Sequence, residues 1–122
     1  MIYEIRTYRL KTGATPAYLR LIGEECIAIQ KKYLGRLFGY FHSDIGPLNE
    51  IVHIWAYDDI ADRERRREAL LRDRAWQALL PRIQSHIETM ESKIMKPAPF
   101  WTQNDAQTTA TGSEHKRLTE EV

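Results

Sequence analysis

The chain has 122 residues, enough for one hydrophobic core and too few for two ordinary domains. With 43% hydrophobic residues, 29% charged residues and a formal net charge of +1 it reads as an ordinary globular protein, with no electrostatic ground for nucleic acid or an anionic membrane as partner. Its single cysteine, Cys26, excludes an internal disulfide and a cysteine-based metal site.

Residues 2–10 alternate, with Ile2, Glu4, Arg6, Tyr8 and Leu10 in one row and Tyr3, Ile5, Thr7 and Arg9 in the other, which predicts a first strand. Because the chain opens on this strand-like segment, without a basic, Ser-rich or long apolar leader, a cytoplasmic location is expected. Nor does any apolar run approach the roughly 18 residues of a membrane span. Lys11-Thr12-Gly13 supplies a turn, and Thr15-Pro16 reads as an N-cap followed by proline at the first helical position. Tyr18, Ile22, Cys26, Ile29 and Tyr33 then recur at helical spacing, predicting an amphipathic helix that Gly35 stops. Strands are predicted over 37–43 and 50–57, joined as a hairpin through Ile45-Gly46-Pro47-Leu48-Asn49. In the second of these, His53, Trp55 and Tyr57 share one row and Val52, Ile54 and Ala56 the other.

Asp58 or Asp59 caps a helix carrying Arg63, Arg65, Arg66 and Arg67, a run interleaved with acids that reads as a solvated face. A second helical piece starts at Asp73 with Ala75, Trp76, Leu79, Leu80 and Ile83 on its apolar side, and Pro81 falls in its first turns or kinks it. Residues 88–95 form the last strand, and Lys96-Pro97-Ala98-Pro99 ends it. The domain is therefore expected over 1–102, and residues 103–122 are expected to form a polar, flexible C-terminal tail.

The order β, α, β, β, α, β predicts an α+β ferredoxin-like fold with a four-stranded antiparallel sheet. Helices gathered on one face leave the row of Val52, Ile54 and Ala56 uncovered, and a second copy of the chain is the simplest cover. A homodimer is expected on that ground.

The segments MIYEIRTYRL, LGRLFGYFHSDIGPLNEIVHIWAYDD, DRAWQALL and KIMKPAPF, in that order over residues 1 to 101, resemble the NIPSNAP family. The resemblance implies a dimeric α+β barrel, in which two ferredoxin-like sheets close with helices outside. Animal members of the family are tied to vesicle and mitochondrial roles, and bacterial members have no agreed activity. Related barrels include haem-degrading enzymes, cofactor-free antibiotic-type monooxygenases and small isomerases, with a pocket between sheet and helices. The haem-degrading relatives use an Asn on the first strand, a Trp on the third and a His on the second helix. Trp55 matches, but Arg6 stands in the Asn place and no His occurs between Arg63 and Ser85, which argues against haem degradation.

In such a fold His53, Trp55 and Tyr57 would face the helices with Glu4, Arg6 and Tyr8, and the register of Tyr40 and His42 is left open. The group offers an arginine for an anion, an imidazole that titrates near neutral pH, and aromatic rings for a planar ligand. The site expectation is thus His53 and Arg6 as catalytic residues and Tyr8, Tyr40, Trp55 and Tyr57 as ligand contacts, with no cofactor. A metal is not expected, because His42 and His53 lie on different strands without a third ligand. Plainer readings stand beside these: His53 as a hydrogen-bonded core histidine, Arg6 in a structural ion pair with Glu4, the tyrosines as core. The functional reading is a protein that binds a small aromatic or anionic metabolite, as a cofactor-free oxygenase or isomerase if it is an enzyme. The alternative is a non-catalytic dimeric scaffold acting through its tail or charged helix.

Overall fold

In the computed structural model, which describes residues 1–101, the strands β1 (Ile2–Leu10), β2 (Arg36–His42), β3 (Glu50–Tyr57) and β4 (Ile87–Met95) form one sheet in the order β2-β3-β1-β4. All three pairings are antiparallel, with Arg6 opposite both His53 and Ser92. This is the ferredoxin-like arrangement expected from the element order. The tail expected over 103–122 lies outside the described residues. Among those described, no helix is long and apolar enough to cross a membrane.

The first helical stretch runs as α1 (Thr15–Leu21), a π-helical turn (Ile22–Cys26) and α2 (Ile27–Leu34). In the π turn the N–H of Ile27 reaches back to the carbonyl of Ile22, one residue further than in an α-helix. The extra residue rotates everything after it, so the buried stripe continues from Cys26 to Gln30 and Leu34. Ile29 and Tyr33, expected on that stripe, are only partly buried. The N-terminus also differs from expectation: Ala14 is the cap, without a side-chain bond, and the Thr15 hydroxyl donates instead to Asn49 Oδ1 at 3.1 Å. Gly35 ends α2 at φ 86°, where a Cβ would also lie 2.8 Å from the Arg66 guanidinium. The left-handed φ favours glycine there, while the Arg66 side chain could swing away from a Cβ.

Asp59 caps α3 (Ile60–Arg72) by accepting from the Asp62 N–H, and Asp73 caps α4 (Arg74–Gln84) by accepting from the Trp76 N–H. Asp73 is therefore the break between the two helices, as the sequence predicts. Pro81 falls not in the first turns of α4 but inside the helix, where it has no N–H to offer the Gln77 carbonyl one turn back. The core lies between the helices and one face of the sheet, where Tyr8, Leu10, Trp55 and Tyr57 pack with Tyr18, Ile22, Leu34 and Trp76. On the opposite face Tyr3 packs edge-on against Phe38 and Trp101, with centroids 5.3 and 6.2 Å away.

Candidate functional site

The helices do not fill the space above the centre of the sheet. A cavity of about 210 Å³ remains there, with Arg6, Tyr8, His53 and Trp55 on its sheet side. Gln30, Arg67 and Trp76 are among the helical residues that close it. An engineered apolar cavity of ~150 Å³ holds benzene, so this one has room for a single-ring molecule.

His53 is buried, and its Nδ1 accepts a 2.8 Å hydrogen bond from Trp55 Nε1. An indole N–H only donates, so the neutral imidazole must carry its proton on Nε2. That Nε2–H has no partner among the described residues. Burial above all, with the charge of Arg6 and then, against an opposing Glu4, that of Arg67, lowers the His53 pKa to about 3. The expected imidazole titrating near neutrality is therefore corrected: His53 is a neutral donor at physiological pH. Tyr40 lies opposite it and stacks on its ring, with centroids 4.5 Å apart and 16° between planes. Tyr40 is held in turn by the Tyr18 hydroxyl at 2.8 Å.

Arg6 does not stand alone. Its Nε donates to the Tyr8 hydroxyl at 2.9 Å and its Nη1 to Glu4 Oε2 at 2.8 Å. Glu4 has no solvent exposure and is gripped again by Arg63, at 3.1 and 2.9 Å, and by the Ser92 hydroxyl. Burial alone would raise its pKa, but the Arg63 and Ser92 hydrogen bonds and the charges of Arg6 and Arg63 outweigh it and hold it at about 2. Glu4 thus remains ionised and fixes Arg6, which is the structural ion pair the sequence allowed.

Of the expected site residues, Arg6, Tyr8, His53 and Trp55 come together around the cavity. Tyr40 supports His53 from behind. Tyr57 is fully buried, its hydroxyl without a partner within hydrogen-bond geometry among the described residues, yet it does not line the cavity, and His42 is exposed at the sheet edge. Among the lining residues that the sequence reading does not reach are Gln30 and Arg67. Gln30, 7% exposed, has an Oε1 without a partner among the described residues. Arg67 stands in the run that reads as a solvated face, yet it lines the cavity. Among the described residues no three His, Cys, Asp or Glu side chains gather as a metal site would require.

Residues 3–102 match the NIPSNAP family profile. The chain belongs to the NIPSNAP family. A NipSnap homolog from Dictyostelium discoideum is 32% identical over 101 residues, which are 79% of this chain and 42% of that protein. This NIPSNAP chain therefore spans less than half the length of such curated relatives. A solved NIPSNAP family protein with unknown function from Agrobacterium tumefaciens is 58% identical, with a TM-score of 0.81 over 83% of this chain and 91% of that one. A structure described as an antibiotic biosynthesis monooxygenase shares the fold alone, at 18% identity and a TM-score of 0.57 over 81% of this chain and all of its own.

Proposed function

We propose that this domain binds a compact anionic metabolite in the cavity between sheet and helices, and that it does so as a homodimer. One observation carries the first part. The buried His53 Nε2 and Gln30 Oε1 belong to residues of the same cavity and lack partners among the described residues. A buried polar group without a partner costs about 1–3 kcal/mol, which a ligand supplying a complementary acceptor and donor would recover. Arg6 and Arg67 in the same walls favour an anion.

As chemistry, such a site stabilises an enolate or carboxylate with fixed donors. His53 takes up a proton only near pH 3 and Tyr18 is pushed above its ordinary value, so neither serves as a general base near neutrality. Arg6 and His53 act on this reading as anion holders. A cofactor-free oxygenase or isomerase built on them would need a ligand acidic enough to ionise on binding. The dimer is supported by the open sheet face, where Phe38 and Phe41 are 41% and 56% exposed beside partly exposed Ile5, Val52 and Ile54.

Native mass spectrometry of the full chain, with a thermal-shift screen of aromatic and carboxylic compounds, tests both parts. A dimer with a retained small molecule, or a Tm raised by a carboxylate, is expected. An unliganded protein whose Tm no compound raises would end the pocket reading in favour of an interaction protein. A stable monomer would end the dimer.

A further inference from the structure

The clustered arginines of α3, Arg63, Arg65, Arg66 and Arg67, have different fates. Arg63 binds Glu4 and Glu64, Arg65 pairs with Asp62, and Arg66 donates to Asp62 and to the Tyr33 carbonyl. Arg67 lines the cavity, and among the described residues it has no carboxylate partner. From the cavity wall its charge lowers the pKa of His53, and its charge and hydrogen-bonding reach act on the Tyr57 hydroxyl as well.

A charge count follows from these pairings. Arg6 and Arg63 are balanced by Glu4 and Glu64. Arg67 is then the cation the cavity leaves over, one positive charge among mainly apolar and aromatic walls. A ligand with one negative charge neutralises it. A dianion would carry a surplus charge into a poorly solvated space, which is costly. The neutral His53 Nε2–H adds a second donor for an anionic head. Gln30 Oε1 on α2 is an acceptor and asks the ligand for a hydroxyl or N–H. The volume of about 210 Å³ limits the body to one ring or a branched chain of similar size.

We infer that the ligand is a compact monocarboxylic acid with an apolar or aromatic body and a second hydrogen-bond donor: Arg67 and His53 Nε2–H hold the carboxylate and Gln30 Oε1 the donor. This rests on the pocket reading above and goes further, in naming the class and the residue that selects charge.

Isothermal titration calorimetry of the full chain tests it with benzoate and phenylacetate, their 4-hydroxy forms, the corresponding amides, and phthalate. The 4-hydroxy monoacids should bind best, the amides at least tenfold more weakly, and phthalate not measurably. Arg67→Gln should weaken the acids by about tenfold to hundredfold, the range for one charge-assisted hydrogen bond, and leave the amides unchanged. Arg67→Lys should recover part of that loss. Gln30→Leu should erase the preference for the hydroxyl while benzoate and phenylacetate bind as before. Acids and amides that bind alike, or acid affinity indifferent to Arg67→Gln, would overturn the monocarboxylate class and leave the pocket standing. If no compound in the panel binds, the class is likewise overturned, and the native mass spectrum of the purified protein decides separately whether the pocket holds anything.

Discussion

Along β1 the side chains facing the helices include Glu4 and Arg6, one wholly buried and the other 13% exposed at its side chain. The opposite row carries Ile5, and its neighbours β2 and β3 add Phe38, Phe41, Val52 and Ile54, all of them partly or well exposed. A domain shaped only for its own stability would reverse this arrangement, because buried charges lose hydration and exposed phenylalanines forgo burial. The inner face keeps polarity where a ligand can use it. The outer face keeps apolar surface where a second sheet can cover it. Each face is thus incomplete in the chemistry the other has in excess, and substitutions on one should leave the other's property alone.

The largest effect is expected at Glu4. Glu4→Gln leaves the Arg6 and Arg63 guanidiniums without their shared carboxylate, and should lower unfolding free energy by about 3–5 kcal/mol in urea titrations at pH 7. Because the folded-state pKa is depressed, that stabilisation is complete above pH 4.5 and fades as pH falls toward about 2. A loss below 1 kcal/mol would mean the network is solvated. On the outer face, Ile54→Asp should leave the monomer folded while raising the dimer dissociation constant at least about a hundredfold, ~2.7 kcal/mol, in analytical ultracentrifugation. An unchanged sedimentation profile would place any dimer seam elsewhere.

His53 gives the next effect. A histidine whose pKa falls on folding binds its proton more weakly in the native state, so its contribution is full above about pH 6.5 and is lost as pH drops toward about 3. Between pH 6 and 5 unfolding free energy should fall by up to about 1.4 kcal/mol per pH unit from this residue, and His53→Asn should remove that slope. A slope that survives the substitution would assign the dependence to other groups.

How far the chain could be read differs by element, and the reasons are physical. The two rows of β1 and β3, the caps at Asp59 and Asp73 and the stop at Gly35 are local signals, and each appears where the alternation or capping chemistry puts it. The register of β2 was open because it depends on an irregularity between Leu37 and Gly39, which only pairing with β3 reveals; this is what brings Tyr40 over His53. Gln30 was hidden by the π turn. Read at alternating three- and four-residue intervals the helix points to Ile29 and Tyr33, whereas Tyr18, Ile22, Cys26, Gln30 and Leu34 at a constant four-residue interval would have found it. Arg67 was hidden by averaging the arginines into one face. Arg63, Arg67 and Leu70 follow one another at helical spacing, and that stripe points inward.

The smallest effect lies in the hydrogen bond that sets the His53 tautomer. Trp55 was expected as a ligand contact, and it does line the cavity, yet its indole N–H is already engaged by His53 Nδ1. In the proposed site its contribution is then indirect: it forces the imidazole proton onto Nε2, the buried atom without a partner among the described residues. Trp55→Phe retains an aromatic wall but releases Nδ1, and removes about 1 kcal/mol of bias toward the Nε2–H form. Nitrogen-15 NMR of the imidazole should show the Nε2–H tautomer in the parent protein and a mixture in the variant. Acid binding should weaken only a few-fold, because Arg67 still supplies the charge. A variant whose tautomer is unchanged would show that burial beside Arg6, rather than the indole, fixes the proton. A variant with a mixed tautomer and unchanged acid affinity would remove His53 from the carboxylate site altogether.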